Sequence, residues 1–295
     1  MTTVSQLIER CSQTLHSYTG TVESATFLTA SIDADDLTLS VQHPTRILQG
    51  IIEIDDELMQ VSDQGTTDVT LFPFGRGVNG SVAVAHPINS KIVNDPLVPR
   101  ARLFDEMKAV IREVGGGELF QIKTTSLSSA AVANTYALPA DCRRVLKVQW
   151  DTIGPSLEWP ANRTWTVDHN ADVATFPTGK SITIDCYHGV PGQGIQITYA
   201  ADLPVPATTS DDLETLGIPA EMHDVLEFGV CWRAVQKMAP AKLNARAVED
   251  PTTNGVSPSS IKDVAQQLYA LFTVRRDEEK RRLGLLYPPR PHRVR

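Results

Sequence analysis

A chain of 295 residues, 41% hydrophobic and 21% charged, is long enough for more than one buried core and has the composition of an ordinary folded protein. That balance excludes a disordered chain, a coiled-coil rod and a disulfide-packed miniprotein. With 27 Lys plus Arg against 35 Asp plus Glu the net charge is −8, which argues against a whole-molecule grip on nucleic acid or an anionic membrane. The charge is unevenly placed: six basic residues and no acid lie between Lys280 and Arg295, leaving −14 on the preceding 279 residues. Cys11, Cys142, Cys186 and Cys231 form no C-x-x-C pair and read as reduced thiols of a protein made in a reducing compartment. No apolar run approaches the roughly 20 residues of a membrane helix, and the first residues lack the basic head and apolar core of a signal peptide.

Residues 1–20 predict an amphipathic helix, because Val4, Leu7, Ile8, Cys11 and Leu15 recur at helical spacing before Gly20. Residues 21–95 read as a small β-barrel or sandwich. In it ATFLTASI and LTLSV flank the acidic turn DADD as a hairpin, and Ile52, Ile54, Leu58 and Val61 flank a tight turn at Asp55-Asp56. Gly75, Gly77, Asn79-Gly80 and Pro87 then punctuate a strand, a glycine-rich turn, an irregular segment and a closing strand. Residues 96–117 form a linking helix with the stripe Leu103, Met107, Val110, Ile111 and Val114, stopped by Gly115-Gly116-Gly117. Residues 118–205 are a second β-rich region, with strands near NTYAL, CRRVLKVQW, RTWTVD, SITIDCY and GIQITYA. Residues 206–284 are a helical region: a polar connector, a helix from Pro219 to Met238, and another from Ile261 to about Leu283, stopped at Gly284. Residues 285–295 make an extended basic tail, since Pro288, Pro289 and Pro291 forbid helix and strand pairing alike. The fold class is α+β.

Catalytic constellations are missing. None of His16, His43, His86, His169, His188, His223 and His292 has zinc-ligand spacing to another histidine or a cysteine, and Asp168-His169 with Asp172, or Cys186 with His188, fit turns and strand surfaces. The carboxylates Asp33, Asp35, Asp36, then Asp55, Asp56, Glu57, then Asp211 and Asp212 fall where hairpin tips and turns favour Asp, and read as solvated. GRGVNG has no Lys-Ser/Thr after it and opens no helix, so it is no nucleotide cradle, and no G-x-S-x-G is present. The expectation is a non-enzyme with no cofactor and no metal. The end of the chain is more specific. Leu285, Leu286 and Tyr287 precede Arg290, Arg293 and Arg295, the order a segment needs to seat in a partner's groove and then pair with its acids.

LFPFGRGVNGSVAVAHPINSKIV resembles a recurrent β-module of tailed-bacteriophage structural proteins, in which a strand ends in Arg-Gly-x-x-Gly-Ser/Thr followed by small residues and His. The matching positions are Arg76, Gly77, Asn79, Gly80, Ser81, Ala83, Ala85 and His86, with Pro73 and Phe74 as departures. YALPADCRRVLKVQW, from Tyr136 to Trp150, is similar to the strand-and-turn opening of phage head-to-tail adaptor proteins, which also have a late helical region. The resemblance implies a virion protein of the neck between capsid and tail, made in the host cytoplasm. It implies a ring of about twelve copies beneath the portal protein, joined to a downstream neck or tail protein, in transient contact with passing genomic DNA and with no membrane partner. Portal contact would fall to Leu285, Leu286, Tyr287, Arg290, Arg293 and Arg295, and an acidic body suits a passage that DNA must cross without sticking. The alternatives are another neck component, such as a stopper or tail-tube-end protein, or a carbohydrate-binding or hydrolysing phage protein using Trp150, Trp159 and Trp165.

Overall fold

A computed structural model of the chain describes residues 2–19, 23–116, 119–130, 134–151, 161–162, 164–184, 191–238 and 258–287. The fold is mixed α+β and divides into two compact units, Met1–Ile111 with Pro206–Arg275, and Arg112–Val205 with Arg276–Arg295.

In the first unit helix α1 (Val4–Thr19) buries the stripe that its spacing predicts. It opens with a reciprocal cap: the Gln6 amide donates to the Thr3 hydroxyl at 3.2 Å, and the Thr3 amide donates to the Gln6 side chain at 3.0 Å. Six strands follow, β1 (Ser24–Phe27), β2 (Thr38–Ser40), β3 (Gly50–Ile54), β4 (Glu57–Gln64), β5 (Asp68–Leu71) and β6 (Lys91–Asn94). They form one antiparallel sheet in the order β1-β6-β3-β4-β5-β2. Its edge strands meet at the Leu28–Val41 bridge, flanked by Thr29 N–H to Ser40 O and Gln42 N–H to Phe27 O, both 2.9 Å. The sheet thus curls into a partial barrel around Leu28, Leu39, Ile52, Ile54, Met59 and Ile92. A single curled sheet, and not two facing ones, decides between the barrel and sandwich readings.

The first predicted hairpin needs correction. ATFLTASI and LTLSV meet only at that bridge, while β1 pairs with β6 and β2 with β5. The residues nearer the acidic turn pair with another segment instead: Ile32 and His86 exchange backbone bonds of 3.0 and 2.9 Å. The second hairpin forms as read. Asp55-Asp56 connects β3 to β4 with Ile54 opposite Glu57, and Asp55 takes the left-handed conformation at φ 52.

Helix α2 (Arg100–Gly115) follows β6, and late in the chain come α3 (Leu213–Leu216), α4 (His223–Gln236) and α5 (Pro258–Leu286). The predicted polar connector contains α3, started by Asp212, whose carboxylate accepts from Thr215 N–H at 2.9 Å, and ended by Gly217 at φ 95. Gly229 lets three helices close on one another, since a Cβ there would stand 2.8 Å from Val110 and 3.0 Å from Phe272. Helix α5 runs past Gly284, the predicted stop, because that glycine does not adopt the left-handed conformation that ends helices. The stop falls instead at Leu286, just before the Tyr287-Pro288 step that disfavours helix.

The second unit contains β7 (Gln121–Ser128), β8 (Thr135–Ala137), β9 (Cys142–Trp150), β10 (Ala161–Asn162), β11 (Trp165–Asp168), β12 (Ser181–Ile184) and β13 (Gly194–Ala201). They form a four-stranded sheet, β10-β9-β13-β7, and a three-stranded sheet, β11-β12-β8. One core takes Val145, Val148, Ile195 and Ile197 from the larger sheet and Ile182 and Ile184 from the smaller. The sequence pattern missed two strands, the two-residue β10 and β7: QIKTTSLS has no apolar alternation to announce β7, which is held by an eight-residue register with β13. Trp150 and Trp165 pack partly buried against the core and do not form an exposed platform; Trp159 lies outside the described residues.

Glu53 joins the sheet of the first unit to its helices. Its buried carboxyl, on β3, accepts from the Arg100 amide at 2.7 Å and so caps α2 from a neighbouring strand. Burial pushes its pKa up to about 8, against the opposing pull of the Arg100 amide and charge. The folded state therefore holds this proton longer than the unfolded chain, and stability is lost as pH rises through about 8. Glu53→Gln keeps the acceptor and removes the titration. Its stability should lie close to the parent's at about pH 4.5 and exceed it by several kcal/mol, at most about 5, at about pH 9. An identical alkaline decline in both proteins would refute this account of Glu53.

Candidate functional site

Arg76 and His86 stand in a segment with no acid between Phe72 and Asn94, so their counter-charge has to come from elsewhere in the fold. The β3–β4 hairpin supplies it. Glu57, the first residue of β4, has a side chain with 0% exposure, and its two oxygens accept five hydrogen bonds. Oε1 takes Arg76 Nε at 2.7 Å and Gly77 N–H at 3.1 Å. Oε2 takes Arg76 Nη2 at 3.0 Å, Val84 N–H at 3.0 Å and His86 Nε2 at 2.9 Å. The rest of the Arg76 fork reaches the carbonyls of Asp33 at 2.6 Å, Asp36 at 2.9 Å and Val84 at 2.7 Å. Each N–H of this guanidinium thus has an acceptor, the arrangement that a buried arginine requires.

The loop is shaped to reach that carboxylate. Gly77, Asn79 and Gly80 have φ of 60, 56 and 86, three left-handed residues that turn the chain back so that Gly77 and Val84 present their amides to one side chain. Gly75 lies where a Cβ would be 2.6 Å from the Gln60 carbonyl, so no side chain fits between the loop and β4. Ser81 ties the far side, its hydroxyl donating to Val78 O at 2.9 Å and accepting from Leu58 N–H at 3.0 Å. Of the predicted turn residues, Arg76, Gly77 and His86 therefore converge on one carboxylate, and Asn79 and Gly80 make the bend. Glu57, read from sequence as a solvated turn residue, is the group at the centre. An arginine and a histidine in one acid-free segment were the signal that could have found it.

The electrostatics are mutual. Burial opposes charge on Glu57, but Arg76, the Val84 amide and His86 outweigh it and hold its pKa below the usual carboxylate range. A hydrogen bond to His86 lowers the pKa of Asp55, whose Oδ2 lies 2.9 Å from His86 Nδ1. Burial likewise opposes charge on His86, yet bonds to Asp55 and Glu57 prevail and raise its pKa. The histidine is thus a structural cation between two carboxylates. Nothing in the arrangement offers an open position for a substrate or metal, and no group of three or more metal-ligating side chains occurs among the described residues.

The other predicted positions lie apart from this hub. Leu285 and Leu286 are exposed on the last turn of α5, and Tyr287 donates its amide to Leu283 O at 3.0 Å. Arg290, Arg293 and Arg295 lie outside the described residues, as do Cys186, His188 and His292. Asp168 and Asp172 accept from the Asn170 and Ala174 amides at 2.9 and 3.2 Å, which makes them turn residues. Cys11, Cys142 and Cys231 are buried free thiols. Among the described residues no helix is long and apolar enough to cross a membrane.

Two measurements test the hub. Glu57→Gln puts a neutral amide before five donors and leaves Arg76 buried without its counter-ion, so unfolding should cost about 3–5 kcal/mol less, read from denaturant midpoints. A loss under about 1 kcal/mol would show that the network adds little. The pH dependence has two flanks. The contribution of His86 is complete below about pH 6.5 and fades as pH rises through its raised pKa, while those of Asp55 and Glu57 are complete above about pH 4.5 and fade in acid. His86→Gln should flatten the alkaline flank relative to the parent, and equal flanks would contradict the assignment.

No curated protein matches the chain. The family model described as SU10 adaptor protein matches residues 85–282, from the end of the glycine loop through the second β-rich region to the last helix. That match spans more than half of the sequence and agrees with the mixed α+β architecture, so the chain belongs to the SU10 adaptor protein family, the structural adaptor proteins of phages.

Proposed function

We propose that this adaptor is a neck component that joins the capsid vertex to the tail, working as a ring of identical copies beneath the portal protein with the next neck or tail protein below it. The observation that carries this reading is the end of α5. Leu285 is 83% exposed and Leu286 57% exposed on the final helical turn, and the sequence then continues YPPRPHRVR. Leucines left in water cost hydration free energy that a partner groove recovers, and arginines beyond them add charge pairing at its rim. The prolines favour an extended backbone that has less conformational freedom to lose on docking.

The acid balance supports the same reading. With −14 outside the basic end, each copy adds to a field that repels phosphate, so DNA could pass a ring of such chains without counter-ion-driven sticking. The role is structural, in the virion, and requires no catalytic group. Removal of residues 285–295 should leave a chain with the parent's circular dichroism spectrum and melting temperature but at least about 100-fold weaker binding to isolated portal rings. Undiminished portal binding by the truncated chain would refute the tail assignment. Binding of the intact chain to tail-tube protein in place of the portal would favour a role lower in the neck.

A further inference from the structure

Between Phe72 and Ile88 the only ionisable side chains, Arg76 and His86, are turned inward onto Glu57, so the surface of this loop carries no charge. What it shows to solvent is apolar: Phe74 is 93% exposed and Val82 73%, and Phe72, Val84 and Ile88 are exposed beside them in sequence. These side chains are carried on a fixed backbone. Gln60 N–H donates to Gly75 O at 2.7 Å and Phe72 N–H to Gln60 O at 3.1 Å, which lock the two phenylalanines to β4, while Glu57 holds Gly77 and Val84. The ordering cost of presenting an apolar loop is thus met within the fold before any partner arrives. Beside the loop stand the exposed Asp33, Asp35 and Asp36, joined to it through the Asp33 and Asp36 carbonyls on Arg76.

An apolar centre with a charged margin is the composition of a protein interface, and the sign of the margin specifies the other side. We propose that the loop from Phe72 to Ile88 is a pre-formed docking surface for a different virion protein, one that presents an apolar groove edged by lysine or arginine. Another copy, whether paired two-fold or as a ring neighbour, would bring a body of net −14 against the acidic margin of Asp33, Asp35 and Asp36, and that margin also repels an anionic lipid surface. The inference rests on membership of the adaptor family and not on the portal assignment, and it uses none of residues 285–295.

The test is made in assembled phage particles carrying the full-length chain with p-benzoylphenylalanine replacing Val82. Photolysis should link that position to a different virion protein, at apolar residues next to lysine or arginine in its sequence. Linkage to another copy of the same chain, or no protein linkage at all, would overturn the proposal. As a second measurement, the double variant Phe74→Ser, Val82→Ser should keep the parent's melting temperature, because both side chains are exposed, yet be retained in particles at least about tenfold less well. Parent-like retention would also overturn it. Loss of portal binding on removing residues 285–295 is read separately, so failure of the portal assignment leaves this result unaffected.

Discussion

A carboxylate taken wholly out of solvent stays ionised only if fixed positive charge and hydrogen-bond donors replace the water it has lost. Glu57 meets that condition with a guanidinium, an imidazolium and two backbone amides, and much of the first unit is arranged to provide them. The tight turn at Asp55-Asp56 puts Glu57 at the base of β4, and the left-handed run at Gly77, Asn79 and Gly80 returns the chain so that two amides meet it. The carbonyls of Asp33 and Asp36 complete the arginine's set of acceptors and thereby fix the acidic turn. Because the parts are held to one group, loss of that group is felt by the hairpin, the acidic turn and the loop together.

Buried acids recur in this unit, and each is accommodated differently. Glu53 faces one helix amide amid apolar strands and is pushed towards its neutral form. Glu57 is kept charged by Arg76 and His86 from the loop between β5 and β6. Burial also opposes the charge of Glu106, on α2, but Lys237 and Arg233 from the end of α4 keep it ionised, at 2.5 and 3.0 Å. The difference lies in what each neighbourhood can offer: a strand centre supplies few cations, whereas a helix end brings long basic side chains within reach. Together they tie strand to helix, strand to loop and helix to helix at points where apolar packing alone would leave register loosely specified.

Much of the element structure was legible because period-two and helical spacings survive in the sequence. The buried stripe of α1, the turn at Asp55-Asp56 and the strands β8, β9, β11, β12 and β13 follow from residue pattern and turn chemistry. Two kinds of feature were not legible. Strand β7 is Thr- and Ser-rich, so its identity depends on the partner it pairs with. The end of α5 depends on the conformation of Gly284, and a glycine permits either continuation or a stop.

By itself the sequence determined the mixed α+β class, the uneven placement of charge and the glycine-loop residues Arg76, Gly77, Asn79, Gly80 and His86, since these rest on composition and local chemistry. Only the tertiary structure decided what those residues are for. Glu57 lies 19 residues from Arg76 and 29 from His86, and in the chain it looks like any acid at a hairpin turn. Its role comes from burial, and burial is a property of the assembled sheet: once β3 and β4 close against the loop, an exposed acid becomes a charge that must be paired. The same closure turns the loop's two cations inward and leaves its phenylalanines and valines facing out.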